Sequence, residues 1–151
     1  MKCPCNRVAL YSECCKPLHK GEHQAETALQ LMKSRYSAFV KKEWDYLDKT
    51  TTQALLKDID YRQDTTTEWT GLRILFSEEH EGYAIVEFIA YSFEDGEQHR
   101  HHERSDFQRV LGNWKYASGE ILASGFYTID GVDRNDACPC GSNLKAKKCC
   151  F

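Results

Sequence analysis

The chain has 151 residues and a formal net charge of −3, with 41% hydrophobic and 28% charged residues. A chain of this length can bury a stable core without covalent staples, and its composition excludes a disordered or fibrous protein. The slightly acidic balance also argues against nucleic-acid binding by the whole surface, which would require a basic face.

The sequence contains no segment that predicts membrane insertion. No stretch approaches the roughly 18 to 20 consecutive apolar residues that a membrane helix needs, and residues 1–7 lack the apolar core of a signal peptide. These features predict a cytoplasmic protein with no membrane partner. In that reducing compartment, eight cysteines are more typical of metal ligands than of disulfides.

Two identical cysteine arrangements lie at the two ends of the chain. Each reads Cys-Pro-Cys, then eight residues, then Cys-Cys, and together they use all eight cysteines. Tetrahedral zinc takes four such thiolates about 2.3 Å from the metal, and a site with four protein ligands has no open position. The spacing therefore predicts two structural zinc ions, and the redox alternative lacks its usual Cys-X-X-Cys signature. The predicted ligands are Cys3, Cys5, Cys14 and Cys15 in the first set and Cys138, Cys140, Cys149 and Cys150 in the second.

The segment after the first cysteine set predicts helices. Residues 26–41 place apolar side chains at three-to-four spacing, which indicates a helix with one buried face. Arg35 lies beside that face; the burial preference of arginine predicts an exposed side chain, and a position in a pocket is the alternative. Further helices are predicted around residues 43–47 and from Thr52, a favourable N-cap residue, through Leu55, Leu56 and Ile59.

The second half of the chain predicts an antiparallel meander. Strand patterns cover residues 69–76, 83–93, 97–111 and 114–117, with turns at Glu81-Gly82, Asp95-Gly96 and Gly112-Asn113. Helices followed by such a meander indicate an α+β fold. A two-residue turn at Asp95-Gly96 also fixes a register, unless a one-residue bulge shifts it. That register pairs Glu94 with Glu97, Ala90 with His101, Phe88 with Glu103, and Glu87 with Arg104.

The third strand carries the run that is richest in chemistry, residues 99–106. Alternation places His99, His101 and Glu103 on one face, and Arg100, His102 and Arg104 on the other. The first face spans about 13 Å, too far for all three residues to bind one metal ion. A solvated sheet face is the ordinary outcome for such a run, and a polar pocket or a catalytic site are the alternatives. If the domain has a small-molecule site, His101 and Glu103 are expected to line it.

The last cysteine set resembles a known motif. Residues 138–150 read Cys-Pro-Cys-Gly-Ser-Asn-Leu-Lys-Ala-Lys-Lys-Cys-Cys, which looks like the zinc-binding SEC-C motif. The whole chain is similar to the YchJ-like family of small bacterial proteins, with SEC-C modules at both ends of one domain. The first module is less typical, because Asn6 and Arg7 stand where Gly141 and Ser142 stand in the second.

The resemblance implies a domain plan and a fold. It implies an N-terminal zinc module at 1–21, a central domain at 22–134 and a C-terminal zinc module at 135–151. For the central domain it implies a nuclear-transport-factor-2-like cone, in which helices pack on a curved antiparallel sheet. Both modules end in Cys-Cys, so His19 is not needed as a ligand. The family has no established activity that the resemblance could imply, and the fold alone does not indicate a particular function.

Three functions follow as hypotheses. The first is an adaptor whose zinc modules bind a protein partner; the SEC-C resemblance implies chaperone-, ribosome- or translocase-type partners. The second is a small-molecule binder or an enzyme that uses the cone, with Asp106 or Glu87 near His101 and Glu103. An enzyme is the less favoured form, because the sequence has no nucleophile motif or phosphate loop. The third is RNA or ribosome binding through Lys145, Lys147 and Lys148.

The zinc modules also suggest how stability is divided. Each has few apolar residues, so metal coordination has to supply most of its folding energy. The sequence therefore predicts that chelation unfolds the two ends and leaves the core intact.

Overall fold

The computed structural model describes residues 1–6, 8–63, 66–94 and 96–126. The second cysteine set and the predicted C-terminal module lie outside the described residues. Within those ranges the chain forms an α+β fold, with its helices packed against one face of an antiparallel sheet. The fold class predicted from the sequence is confirmed.

Among the described residues, four helices precede the sheet. They are α1 (Lys16–His19), α2 (Ala28–Lys41), α3 (Trp44–Lys49) and α4 (Gln53–Leu56), with short 3-10 turns at Tyr11–Glu13 and Tyr61–Gln63. The longest, α2, begins where the Thr27 hydroxyl accepts a hydrogen bond from the Gln30 amide at 3.0 Å, and ends at Lys42 in the left-handed region. No helix of the described residues is long and apolar enough to cross a membrane.

The predicted helices are present with adjusted ends. Helix α2 begins two residues later than expected, because Thr27 is the N-cap residue. The third predicted helix ends at Leu56, so Ile59 lies outside it and packs against the core from a loop.

The sheet is a four-stranded meander in the order β1-β2-β3-β4. Its strands are β1 (Glu68–Glu79), β2 (Tyr83–Glu94), β3 (Glu97–Val110) and β4 (Asn113–Phe126). Register shifts interrupt the β1–β2 and β3–β4 ladders at two points each. Such irregularities bend a strand and increase its twist, which lets the sheet curve around α2.

The register predicted for the central hairpin is confirmed. Strand β2 pairs with β3 so that Glu94 lies opposite Glu97, and the three other predicted pairs follow without a bulge. The two-residue turn fixes which face every side chain of β3 occupies, because a slip of one residue would reverse them all.

Strand β4 is much longer than residues 114–117, so that prediction is wrong. The Ser-Gly-Glu run at 118–120 is typical of a turn, yet all three residues pair with β3. The ladder between the two strands then continues to Phe126. Strand β1 likewise continues past Phe76 to Glu79, since β2 supplies partners there. The last tight turn also lies one residue earlier than predicted, at Leu111 and Gly112, which both have positive φ.

The core lies between α2 and the sheet. Among its fully buried side chains are Leu31 and Leu47 from the helices and Val86 and Phe107 from the sheet. Leu18 of α1 belongs to the same cluster and is 4% exposed. The N-terminal segment is therefore part of the main core as well as a metal-ligand module.

Candidate functional site

The first four cysteines form one compact cluster. The sulfurs of Cys3, Cys5, Cys14 and Cys15 all lie within 4.8 Å of one another, and three of the four residues are buried. The Cys5 and Cys14 sulfurs are 3.6 Å apart, and the Cys14 and Cys15 sulfurs are 3.9 Å apart. Four sulfurs held 2.3 Å from a tetrahedral metal would be separated by close to these distances. The donor set therefore fits a metal such as zinc.

Short backbone contacts shape the loop that carries the first pair. Lys2 and Leu10 form an antiparallel bridge, and the Cys3 amide donates to the Ala9 carbonyl at 2.7 Å. The Asn6 side-chain oxygen accepts from the amides of Val8 and Ala9, which closes the turn after Cys5. Asparagine favours such turns because its side chain can replace a backbone acceptor. Asn6, which stands where the second module has Gly141, thus stabilises the turn through its side chain.

The environment of the cluster alters its thiols. Burial raises the pKa of the Cys14 thiol. Hydrogen bonds from Cys15 first and Cys5 next hold the pKa of Cys3 well below its usual range, since they stabilise its thiolate. The Cys3 sulfur also lies 3.5 Å from the hydroxyl of Ser37 on α2. A buried thiolate with such donors is typical of a metal ligand.

His19 stays outside the sulfur cluster and anchors the module to α2. Its Nε2 donates to the Ser34 carbonyl at 2.8 Å, so its Nδ1 accepts from the Tyr11 hydroxyl at 2.7 Å. Burial lowers the pKa of His19, which favours this neutral form. Its ring also packs on Tyr46 at 4.8 Å between centroids. These contacts argue against the expectation that the N-terminal module and the core are separate in stability.

A second feature is a cavity of about 230 Å³ between α2 and the concave face of the sheet. Most of its wall is apolar or aromatic, and its polar groups are few. The α2 side includes Met32, Arg35 and Phe39, and the sheet side includes Phe88, Ala90, His101, Glu103, Ser105 and Tyr116. His101 and Glu103 therefore lie where the sequence places them if a pocket exists. That they bind a ligand stays a prediction.

Glu103 is the centre of a hydrogen-bond network on the sheet side. Its Oε1 accepts from His101 Nε2 at 2.7 Å, and its Oε2 accepts from the hydroxyls of Ser105 at 2.6 Å and Tyr116 at 2.9 Å. Burial alone would raise the pKa of Glu103, but these hydrogen bonds outweigh it and hold the pKa below its usual value. The carboxylate is consequently ionised at neutral pH. With Nε2 engaged, His101 keeps Nδ1 open, and no partner for it is found among the described residues.

Gly119 on β4 makes room for this network. A Cβ atom there would collide with the Glu103 carboxylate and the Tyr116 hydroxyl. Because glycine has no side chain, the two groups can approach each other directly beside the β4 backbone. This explains a glycine in the interior of a long strand.

Arg35 lies in the cavity wall, and the prediction that it is exposed is wrong. It is 4% exposed, and its Nη1 donates to the Leu47 carbonyl and to the hydroxyls of Thr50 and Thr51. Its Nη2 donates to the Tyr61 hydroxyl at 2.8 Å. The usual preference of arginine for an exposed position did not predict this, because acceptors from α3 and the following loop hold the guanidinium under α2.

The outer face of β3 has a different role. Glu87 binds His102 at 3.1 Å and Arg104 at 3.2 Å, and Asp106 is exposed and accepts from Ser118. Glu87 and Asp106 therefore do not line the cavity, which corrects their suggested place beside a substrate. His99 shares the parity of His101 but lies near the hairpin end, outside the cavity.

Sequence reasoning gave a pocket only as the alternative for Arg35, and it did not assign Ser105, Tyr116 or Gly119 to the site around Glu103. Signals for two of these four residues were present. Arg35 stands three residues after Met32 and four before Phe39, which is on the apolar face, and Ser105 continues the alternation of His101 and Glu103. Nothing local marked Tyr116 or Gly119, since their roles depend on the pairing of β4 with β3. Lys145, Lys147, Lys148 and the second cysteine set lie outside the described residues.

The helices, the curved sheet and the cavity between them define an NTF2-like domain that carries a four-cysteine cluster. The chain belongs to the family described as "YchJ, middle NTF2-like domain", whose model matches residues 27–119, and a SEC-C motif matches residues 134–151. The sequence resemblance is thereby confirmed. The first cysteine set is identified by its spacing and by the convergence of its sulfurs.

Relatives extend over the whole chain. UPF0225 protein GSU1048 of Geobacter sulfurreducens is 36% identical over 98% of this chain and 96% of its own length. UPF0225 protein plu2503 of Photorhabdus laumondii is 38% identical over 98% of this chain and 97% of its own.

Solved structures with the same architecture also exist. A SEC-C motif containing protein from Rhodopseudomonas palustris, RPA3114, has a TM-score of 0.75 at 33% identity and covers 82% of this chain and 100% of its own. A SEC-C motif containing protein from Psychrobacter arcticus has a TM-score of 0.66 at 31% identity, covering 99% of this chain and 95% of its own. These similarities support the fold and the motif.

Proposed function

We propose that the chain is a zinc protein with one structural zinc ion in each cysteine module. The single observation that carries this proposal is the convergence of Cys3, Cys5, Cys14 and Cys15 on one point, with sulfur separations that suit a tetrahedral ion. The second module repeats the same spacing in the sequence. Four thiolate ligands leave no position for a substrate, so the role of the metal is to hold the module in shape.

Native mass spectrometry tests the metal content. The expected result is two zinc ions per wild-type chain and one in each of two variants, Cys14→Ser/Cys15→Ser and Cys149→Ser/Cys150→Ser. A Glu22→Gln variant, which changes an exposed side chain outside the ligand set, is expected to keep both ions. A folded, reduced wild-type chain with less than one zinc would contradict the proposal.

The biological role proposed for these modules is binding to a protein partner, with the central domain as their support. Closed metal sites have no chemistry of their own, which leaves contact with other molecules as the role proposed for the modules. Affinity capture with the wild-type chain and with each double variant tests this role. Identical partner sets from all three chains would contradict it. Loss of a partner with one variant only would identify the module responsible.

A second candidate function, small-molecule binding in the central domain, is favoured by the cavity. A largely apolar space with a few convergent polar groups is the usual form of a ligand site. The observation that favours it is that His101 lines the cavity on a ring that Glu103 holds in place, while its Nδ1 has no hydrogen-bond partner among the described residues. Native mass spectrometry of gently purified protein, compared with an Ala90→Leu variant that fills the cavity, tests it. A bound small molecule retained equally by both chains would contradict binding at this place.

A further inference from the structure

We propose that the cavity takes a small monocarboxylate with an aromatic or branched apolar body, and that Arg35 holds the carboxylate. This inference rests on the proposed ligand-binding function of the cavity and specifies the class of ligand. Three observations support it: Arg35 has N–H donors without a partner among the described residues, Glu103 already accepts three hydrogen bonds, and the space between them has a defined size and lining.

Arg35 is a buried cation with spare donors. Its four hydrogen bonds use Nη1 and part of Nη2, so Nε–H and the second N–H of Nη2 have no partner in the part of the chain that the structure describes. Nε and Nη2 form one edge of the guanidinium plane, and such an edge binds both oxygens of a carboxylate. The four existing bonds fix the group, so little side-chain entropy remains to be lost on binding.

No counter-charge in the described part of the chain pairs with this cation. Among the described residues, no carboxylate lies within 4.0 Å of the guanidinium, and its close neighbours are the faces of Tyr116 at 4.7 Å and Tyr61 at 5.5 Å. Ring faces compensate a buried charge only in part, and removal of a charge from water is costly without a partner. An anionic ligand would supply the missing partner.

Glu103 is already occupied and cannot take that role. Its two oxygens accept three hydrogen bonds from His101, Ser105 and Tyr116. Because it is ionised, it repels a second carboxylate from the sheet side of the cavity. The ligand is therefore oriented, with its carboxylate toward α2 and its other end toward Nδ1 of His101.

The space between these groups sets the size and character of the ligand. A dry cavity of about 150 Å³ in another protein holds benzene, so by proportion about 230 Å³ holds on the order of nine or ten non-hydrogen atoms. Phe39, Trp69 and Phe88 line it and offer faces and edges for a ring. Benzoate has this size and a single carboxylate, and benzamide is its neutral counterpart of the same shape.

The chain offers a direct reporter for this binding. It has two methionines, of which Met32 lines the cavity at 7% exposure and Met1 is 80% exposed and does not line it. With 13C-methyl methionine labelling, a titration of the zinc-loaded full chain with benzoate is expected to shift the Met32 methyl signal and leave that of Met1 in place. Benzamide is expected to bind about tenfold more weakly, since it loses the charge-assisted pair with Arg35.

Two variants complete the experiment. Ala90→Leu fills the cavity and is expected to abolish the shift of the Met32 methyl signal. Arg35→Lys keeps the charge but loses the planar edge, so it is expected to weaken the binding of benzoate and to leave the affinity for benzamide unchanged. The thermal transition of each variant is measured as well, to show that the variant is folded. The comparison of benzoate with benzamide on the wild-type chain does not depend on either variant. Equal affinity for benzoate and benzamide would overturn the anionic class and leave small-molecule binding standing. No Met32 shift with either probe at millimolar concentration would overturn both.

Discussion

Zinc removal is expected to destabilise the central domain as well as the N-terminal module. The sequence alone suggests that the two are independent, but α1 directly follows Cys15 and carries Leu18 into the main core. His19, in the same helix, donates to the backbone of α2. When the metal is lost, the first module loses the bonds that shape it, and α1 loses its anchor.

The size of the effect follows from these contacts. Burial of the Leu18 side chain contributes about 2 kcal/mol, and the hydrogen bond from His19 to the Ser34 carbonyl contributes about 1 kcal/mol. Entropy regained by the released segment offsets part of this sum. For a domain of this size each kcal/mol corresponds to roughly 4 °C in Tm, so the core transition should fall by about 5 to 12 °C and remain cooperative.

Differential scanning calorimetry of the zinc-loaded chain, before and after a strong chelator, measures the shift. The Cys149→Ser/Cys150→Ser variant, which retains the first site, is expected to show the same decrease. The Cys14→Ser/Cys15→Ser variant is expected to start from the lower Tm and to change little on chelation. An unchanged core Tm in the chelated wild-type chain would refute the coupling and restore the picture of independent units.

Three further predictions concern the central domain. Gly119→Ala is expected to lower the free energy of unfolding by about 1 to 3 kcal/mol in urea denaturation, because the new methyl group displaces the Glu103 carboxylate or the Tyr116 hydroxyl. Glu103→Gln should lower the free energy of unfolding at neutral pH, and this difference from wild type should shrink as the pH falls below about 4.5. The wild-type carboxylate has a lowered pKa in the folded state, so its stabilising contribution is present above the ordinary pKa of glutamate and is lost on protonation. Thr27→Ala should cost about 1 kcal/mol by removing the cap on the Gln30 amide.

Each of these predictions has an outcome that contradicts it. A Gly119→Ala chain as stable as wild type would show that the network has room to move. A stability deficit of Glu103→Gln that is constant from neutral to acid pH would show that the carboxylate gains nothing from its hydrogen bonds. An unaltered midpoint for Thr27→Ala would mean that the N-terminus of α2 is held by its other contacts, such as the Ala28 amide to Glu79.

Features that depend on neighbouring residues were predictable from the sequence. The register of β2 and β3 follows from the two-residue turn between them, and strand alternation then places His101 and Glu103 on the same face. The cysteine cluster follows from spacing and the coordination chemistry of zinc. In each case the structure depends on residues that are close in the sequence: a two-residue turn, the two-residue alternation of a strand, or the spacing of the cysteines.

Features that depend on distant partners were not predictable. The burial of Arg35 requires acceptors from Leu47 to Tyr61, and the length of β4 requires the ladder that β3 offers. Gly119 looks like a turn residue in the sequence, and only the pairing of the strands shows that it faces Glu103. Tertiary context overrides local preference in each of these places.

The most direct test of the zinc assignment is X-ray absorption spectroscopy at the zinc edge on the Cys149→Ser/Cys150→Ser variant, in which the first module alone keeps its four cysteines. We expect one zinc ion with four sulfur neighbours at about 2.3 Å and no nitrogen neighbour, since His19 is engaged with Tyr11 and Ser34. A spectrum with nitrogen or oxygen in the first coordination shell, or a folded chain that retains no zinc, would contradict it.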